Sequence, residues 1–356
     1  MATAEPTHFS ASAASGQSRG VAVGSDQADR IDSVDALRGL ASLMVCWFHF
    51  THGNAQFLQD GQWLFLTGNF MWTGVEVFFV ISGFIIPHAL FRSGYQVNHF
   101  FRFFGKRLIR LEPPYLSAVV ITVLLWWMST KSPGFAGQPM HITPGQAISH
   151  LGYMNDLLGY GWFNPAFWTL AIEFQYYILI GLIAPFLLSE KPWVRLITIG
   201  SLAGSALIVD QSRFVFHWLF VFLMGTVTFY RRAGFIRQAS YFLLLLGCIL
   251  GAWKISGEPV AIVGGTTSLI IAFARIRAKL LVFFGTISYS LYLLHVPIGG
   301  RVINLSLRFV ESGAIKPFVV LFALALSCAA AFALYWYVER PAQAWSSRIR
   351  YRKIPN

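Results

Sequence analysis

The sequence predicts an all-α protein that crosses a membrane about ten times. Of its 356 residues, 56% are hydrophobic and only 12% are charged, whereas a soluble domain carries about 25% charged residues. Ten apolar stretches are long enough to span a bilayer, and basic residues fall in the short connections between them. We therefore expect one membrane domain over residues 31–345, between an N-terminal tail, 1–30, and a basic tail, 346–356.

The predicted spans follow one another with mostly short connections. They cover residues 34–52, 70–91, 114–130, 166–188, 194–209, 214–230, 239–254, 259–274, 280–304 and 317–338. The fifth, seventh and eighth stretches are short and contain glycine, so their ends are the least well defined. A longer connection, 131–165, precedes the fourth span. The segment 164–168 at their junction marks a helix start, because Pro165 suits the first turn of a helix.

Lysine and arginine are distributed unevenly between the two sides of this arrangement. With a cytoplasmic N-terminus, 21 of the 27 Lys and Arg residues lie on the cytoplasmic side. Because basic residues are retained on that side, both termini are predicted to be cytoplasmic. The net charge of +12 then reflects topology rather than binding to nucleic acid. Residues 1–30 lack an apolar run and are expected to be a disordered tail, not a signal peptide.

The first span carries two polar residues on one face. Arg38 and His49 are eleven residues apart, almost three helical turns, which places them roughly 16 Å apart along the axis. Polar side chains are rare inside membranes and usually mark a site or a pathway. The alternative is that Arg38 anchors the helix at the surface and that a neighbouring helix satisfies His49.

Two further spans place titratable groups near the depth of His49. Glu173 lies about two turns into the fourth span, and His295 lies in the same half of the ninth. A carboxylate that orients an imidazole makes it a better base for activating a hydroxyl. The carboxylate and the two imidazoles could thus form one site. Packing hydrogen bonds are the alternative for both residues, with Tyr292 and Pro297 as local partners of His295. Trp168 is expected at the outer membrane surface, as an interfacial aromatic residue.

A basic segment precedes the third span. Arg107 and Arg110, three residues apart, share a helical face, and their guanidinium groups match the oxygens of phosphate. The alternative is anchoring at the cytoplasmic surface or binding of anionic lipid headgroups. The cysteines, Cys46, Cys248 and Cys328, lack the spacing of a metal site, and no metal is expected.

Six short motifs occur in order along these spans. They are Asp35–Ala41 with His49, Gly74–Ile86, Lys106–Tyr115, Phe167–Tyr177, Ser288–Pro297 and Val338–Pro341. With them, the chain resembles the acyltransferase-3 family of bacterial integral membrane acyltransferases over nearly all of residues 32–345. Members of that family O-acylate polysaccharides, lipopolysaccharide, lipid-linked sugars and some small molecules.

The resemblance implies functional positions. The family's functional residues fall on Arg38, His49, Arg107, Arg110, Trp168, Glu173 and Glu339. Two positions depart from the family pattern: Glu76 stands where aspartate is frequent, and Phe174 stands where a second glutamate is common. The second departure concentrates the carboxylate role on Glu173.

The implied reaction is transfer of an acyl group, expected to be acetyl, from cytoplasmic acyl-CoA to a hydroxyl of an exported or cell-surface carbohydrate. His49 would act as general base or transient acyl carrier, with Glu173 as its catalytic partner. The other predicted residues would bind substrate: Arg38, Arg107, Arg110, Trp168, His295 and Glu339. Alternatives are O-acylation of a small molecule such as a macrolide or of a lipid-linked sugar and, in another class, transport of acyl or glycan substrates. Transporters often contain a pseudo-repeat, and none is visible here.

No permanently bound cofactor is expected, because acyl-CoA, in its simplest form acetyl-CoA, is a substrate. The expected partners are the carbohydrate acceptor, the lipid bilayer and the machinery of polysaccharide biosynthesis. The expected location is the bacterial cytoplasmic (inner) membrane. Many family members continue into an extracytoplasmic SGNH-type domain, whereas this sequence ends about 15 residues after Pro341. The resemblance therefore implies a stand-alone enzyme.

Overall fold

The computed structural model describes residues 18–349 except 134, 136, 138 and 311, with side chains from Ser33 onward, and this part of the chain is all-helical. Its α-helices are α1 (Ser18–His52), α2 (Trp63–Leu66), α3 (Gly74–Arg92), α4 (Phe100–Thr130), α5 (Pro144–His150), α6 (Asn155–Leu158), α7 (Trp168–Leu187), α8 (Pro192–Ile208), α9 (Leu219–Arg232), α10 (Gln238–Ser256), α11 (Glu258–Phe273), α12 (Lys279–Thr286), α13 (Ser288–His295), α14 (Arg301–Ser306), α15 (Lys316–Leu334) and α16 (Arg340–Arg348).

A helix covers each of the ten predicted apolar stretches, but fewer are long and apolar enough to cross a bilayer. Five such helices lie within the described residues: Trp63–Arg92, Val97–Thr130, Pro165–Leu187, Gln238–Ser256 and Lys316–Arg348. A sixth results if α12 and the helix after it, which meet at 65°, form one span. The class of helical integral membrane protein is confirmed, whereas ten spans and cytoplasmic termini stay predictions.

The first helix is longer than the sequence predicts. α1 begins at Ser18 rather than near residue 34, so the predicted disordered tail contains helical backbone over 18–30. Extending an existing helix fixes one residue for each hydrogen bond gained, which is easier than starting a new helix. Residues 1–17 of the predicted tail, and 350–356 of the C-terminal one, lie outside the described residues.

Four glycines bring two helix pairs into close contact. A side-chain carbon at Gly39 or Gly285 would collide with backbone atoms across the α1–α12 crossing. A side-chain carbon at Gly83 or Gly225 would likewise collide with backbone atoms where α3 crosses α9. Small residues allow such close approach of helices in membranes. These crossings fix α1 and α3 in the bundle, and both helices contribute residues to the site described below.

Two π-helical turns interrupt the last long helices. Val296–Gly300 follows α13 directly after His295, and Tyr335–Glu339 follows α15 and ends at Glu339. A π turn holds one residue more than an α turn and is frequent at functional sites. Both turns therefore adjoin residues that the sequence marks as functional.

Candidate active site

A cavity of about 170 Å³ lies among α1, α3, α4, α7 and α13. Its polar lining comprises Asp35, Arg38, Ser82, Arg107, Arg110, Thr169, Glu173, Tyr177, Ser288, Tyr289, Tyr292 and Glu339. Arg107 and Arg110 face it together because residues three apart share a helical face. The structure thus brings together the three arginines and the two glutamates that the sequence singled out.

The three arginines of this cavity carry free hydrogen-bond donors. Within the described side chains and backbone, Arg38, Arg107 and Arg110 have no ion pair and no hydrogen bond. Arg107 lies over two rings, with its Cζ 5.7 Å from the Phe103 centroid and 5.3 Å from the Tyr177 centroid. Arg110 is within electrostatic range of the other two arginines. Three unpaired guanidinium groups around one cavity suit an anion with several oxygens, such as phosphate.

The two glutamates of the cavity accept hydrogen bonds from neutral groups instead. Glu173 accepts from the Ser82 hydroxyl at 3.0 Å and from the Tyr177 hydroxyl. Glu339 accepts from Ser290 Oγ at 2.6 Å and from Gln343 Nε2 at 2.9 Å. Glu173 is thus held by α3 and α7, and Glu339 by α13 and α16. Glu339 is within electrostatic range of Arg38 and Arg110 but takes none of their hydrogen-bond donors, which stay available to a ligand.

Two histidines meet at the C-terminal end of α13, beyond the residues that line the arginine cavity. Nδ1 of His49 lies 3.2 Å from Nε2 of His295, and the ring centroids are 4.9 Å apart. His295 has no exposed surface, whereas His49 is partly exposed. The contact joins α1 to α13 across 246 residues of sequence.

Backbone carbonyls determine where the protons of this pair lie, because a carbonyl oxygen can only accept. His295 Nδ1 is 2.7 Å from the Tyr292 carbonyl and therefore donates to it, which leaves Nε2 of the neutral ring as an acceptor. His49 Nδ1 is 3.0 Å from the Val45 carbonyl and faces that Nε2, so it carries the proton. His49 Nε2 is left with its lone pair, in the form that a base or nucleophile requires.

Tyr292 separates the arginine cavity from the histidine pair. Its side chain lines the cavity, while its carbonyl holds His295. The Tyr292 hydroxyl donates to the Ala166 carbonyl at 3.0 Å and lies 2.6 Å from Thr169 Oγ1. The sequence suggested Tyr292 only as a local partner for His295, and its carbonyl has that part. Its place in the cavity lining was not predicted; its position three residues before His295, on the same helical face, was the available signal.

Three predicted site residues occupy other surroundings than the sequence suggested. Glu173 contacts neither imidazole among the described side chains, because α7 directs it to Ser82 and Tyr177. His295 contacts His49, in line with their similar predicted depth, but it has no exposed surface with which to bind substrate. Trp168 does not line the cavity; it packs against Trp218 with ring centroids 5.5 Å apart.

The fold and the site define a helical membrane protein in which one helix, α1, contributes an arginine to a polar cavity and a histidine to a buried histidine pair. Comparison with known proteins gives the family: the profile of an acyltransferase domain, acyltransferase 3, matches residues 31–336. The chain therefore belongs to the acyltransferase-3 family. No solved structure matches it.

Named relatives are similar over most of this chain. The O-acetyltransferase OatA of Staphylococcus aureus is 28% identical over 87% of the chain and 57% of its own length. The chain thus spans little more than half of that relative. BcsY of Komagataeibacter xylinus, named as a candidate membrane-bound transacylase, is 28% identical over 90% of the chain and 85% of its own length. YrhL of Bacillus subtilis, named as a candidate peptidoglycan O-acetyltransferase, is 30% identical over 42% of the chain and 23% of its own length.

Proposed function

We propose that this protein transfers an acetyl group from acetyl-CoA to a hydroxyl of an exported or cell-surface carbohydrate. One observation carries the proposal: α1 presents Arg38, without a hydrogen bond among the described residues, to a cavity with two further arginines. Almost three turns later α1 presents an imidazole with a free lone pair at His49. The phosphates of coenzyme A match the arginines. The relatives named as O-acetyltransferases, one of them for peptidoglycan, support the acetyl group and the carbohydrate acceptor.

The proposed membrane arrangement has ten spans, with both termini on the cytoplasmic side of a bacterial inner membrane. It follows from the excess of Lys and Arg in one set of connections, since positive charge is retained in the cytoplasm. In this orientation the arginine cavity opens to the compartment that holds acetyl-CoA. His49 then lies toward the outer side, where an exported carbohydrate is available.

The proposed chemistry uses the tautomer that the hydrogen bonds impose. The acceptor hydroxyl gives its proton to His49 Nε2 while its oxygen forms a bond to the thioester carbonyl carbon. The carbon–sulfur bond breaks, and the proton passes from His49 to the departing thiolate, so that an ester and free coenzyme A result. During the step His49 is an imidazolium whose Nδ1–H donates to the neutral Nε2 of His295, which stabilises the charge.

A route through an acetylated His49 would use the same lone pair. Nε2 would attack the thioester carbonyl, release the thiolate and hold the acetyl group until an acceptor hydroxyl takes it. Labelled acetyl-CoA distinguishes the routes. Label retained on the purified protein when acceptor is omitted indicates the acyl carrier, whereas the general-base route leaves none.

The proposed function is tested by removing one of two nearby histidines. Cells that lack the protein would be complemented with wild type, His49→Ala or His52→Ala, and ester-linked acetate on surface carbohydrate would be measured after mild base release. His52 is a matched control, one turn further on α1, bonded to Asn69 at 3.1 Å and without contact to His295. We expect loss of acetate only in His49→Ala. Full acetylation by His49→Ala, or unchanged acetate without the wild-type protein, would refute the proposal.

A further inference from the structure

A second cavity lies beyond the histidine pair, on the opposite side from the arginines. Along α13 and its π turn, Tyr289 and Tyr292 line the arginine cavity, His295 follows, and Pro297 and Arg301 line the second cavity. Its volume is about 250 Å³. On α4 it is lined by Thr122, twelve residues after Arg110, or roughly 18 Å along the helix. Along α13, His295 thus lies between the residues that line the two cavities, although neither His295 nor His49 lines either of them. We call the second cavity the aromatic cleft.

The aromatic cleft combines indole rings with neutral polar groups. Its lining includes Trp126, Gln146, Trp162, Asn164, Pro297 and Arg301. Trp126 comes from α4, while Gln146 and Trp162 come from the connection between α4 and α7. No carboxylate is among its described lining residues. Two indoles with amide and guanidinium groups provide apolar faces and hydrogen bonds side by side.

Two polar atoms in the cleft are available to a ligand. Gln146 Nε2 donates to the Gly161 carbonyl at 2.9 Å, which fixes the amide orientation and leaves Oε1 without a partner among the described residues. Arg301 uses Nε on Ser129 and Nη1 on Pro297, which leaves Nη2 free within the same part of the chain. The cleft therefore offers one acceptor and one donor.

The free acceptor discriminates between ligand classes. An amide oxygen requires a ligand that donates a hydrogen bond, which a hydroxyl does and an ionised phosphodiester does not. Indole rings supply broad apolar surface beside such polar contacts. A pyranose ring has both features, with apolar C–H faces and hydroxyls at its edge.

We propose that the aromatic cleft binds a sugar ring of the acceptor and directs one of its hydroxyls toward His49. The direction of the hydroxyl rests on the proposed acetyl transfer, whereas sugar binding in the cleft does not depend on it. The acceptor and the donor then reach the histidine pair from opposite sides, so that neither has to leave before the other binds.

The test measures sugar binding directly. Purified full-length protein in phosphatidylcholine nanodiscs would be examined by saturation-transfer NMR with methyl glycosides of glucose, galactose, mannose and N-acetylglucosamine. We expect at least one glycoside to bind, with its Kd raised about tenfold or more in Trp126→Ala and nearly unchanged in Trp126→Phe, which keeps a ring. Trp127→Ala is the matched control, because Trp127 is the next residue, 49% exposed, and not in the cleft.

Several outcomes would overturn the cleft. The proposal fails if the wild type binds none of the glycosides, or if Trp126→Ala and Trp127→Ala weaken glycoside binding equally. It also fails if phosphatidylglycerol in the nanodisc displaces the glycoside, because the cleft would then bind a lipid headgroup. Acetyl-CoA binding, measured in the same samples, separates this inference from the proposed function. If the protein binds the sugar but not acetyl-CoA, the proposed donor site is refuted and the sugar site in the cleft stands. If it binds acetyl-CoA but not the sugar, only the sugar site in the cleft is refuted.

Discussion

Replacing His295 with leucine tests whether the buried imidazole positions the base. Leucine fills the site but removes the acceptor, 3.2 Å from His49 Nδ1, that fixes the tautomer and faces the imidazolium. A hydrogen bond to a charged group contributes about 1.5–3 kcal/mol, which corresponds to a roughly 10- to 150-fold lower rate when the charge exists only in the transition state. Because His295 does not line the arginine cavity, donor binding should not change.

The assay measures acetyl transfer by purified His295→Leu in nanodiscs over a range of acetyl-CoA concentrations. We expect kcat to fall and the KM for acetyl-CoA to stay within about twofold. His295→Gln is the rescue variant, because its side-chain oxygen reaches the position of Nε2 and can accept from His49. We expect it to recover at least part of the lost rate. Unchanged kcat in His295→Leu, or equal losses in the leucine and glutamine variants at equal Tm, would refute the positioning role.

Three further predictions concern the cavity and the connection before α7. Arg107→Ala and Arg110→Ala should each raise the KM for acetyl-CoA more than tenfold, since a charged hydrogen bond contributes about 1.5–3 kcal/mol. Lysine at either position should restore only part of the affinity, because the forked geometry of the guanidinium group is lost. Unchanged affinity for acetyl-CoA in both alanine variants would show that the two arginines only anchor the helix at the membrane surface. Glu173→Gln should keep turnover within about tenfold, because its side-chain oxygen still accepts from the hydroxyls on α3 and α7. Glu173→Ala should lower the free energy of unfolding by about 1–3 kcal/mol, because it leaves those hydroxyls unpaired. A loss of turnover of about 10²-fold or more in the glutamine variant, with Tm unchanged, would instead assign the carboxylate a catalytic role. Burial lowers the pKa of His150 from its usual 6.5, so the folded state binds this proton more weakly than the unfolded state. The stability that the neutral His150 provides is therefore complete above about pH 6.5 and is lost as the pH falls below that value. Between pH 7.5 and pH 5, Tm should fall less steeply in His150→Gln than in the wild type. An equal fall of Tm in the two proteins would contradict this.

Helical spacing was enough to predict part of the site. Arg107 and Arg110 lie three residues apart on one helix, and both line the cavity as expected. Arg38 also reaches it, while His49, on the same helix, lies beyond Tyr292. Such relations depend on the geometry of one helix or of two neighbouring turns, which sequence spacing determines directly.

Contacts between helices that are distant in the sequence could not be predicted from the spacing of residues. His49 and His295 were placed at similar depth, yet a depth gives no rotation about the helix axis, and it was Glu173 that was expected to orient the base. The rotation of α13 depends on the glycine-mediated crossing of α1 and α12 and on the bend after α12. Neither follows from a local pattern, because both depend on which surfaces pack together.

Because of the π turn at Val296–Gly300, the number of residues in this segment determines the direction in which Arg301 points relative to His295. Each residue of a regular helix turns the chain by about 100°. Because the π turn holds one residue more than an α turn, deleting one residue here would regularise the hydrogen bonds and leave the directions of His295 and Arg301 nearly unchanged. A second deletion would rotate Arg301 and all of α14 by about 100°, away from the aromatic cleft. Substitutions within the turn leave that phase unchanged. Natural variation in this segment should therefore change the number of residues between His295 and Arg301 by at most that one residue. It should also keep Gly299, because a Cβ there would collide with the Phe50 ring and with Ser327.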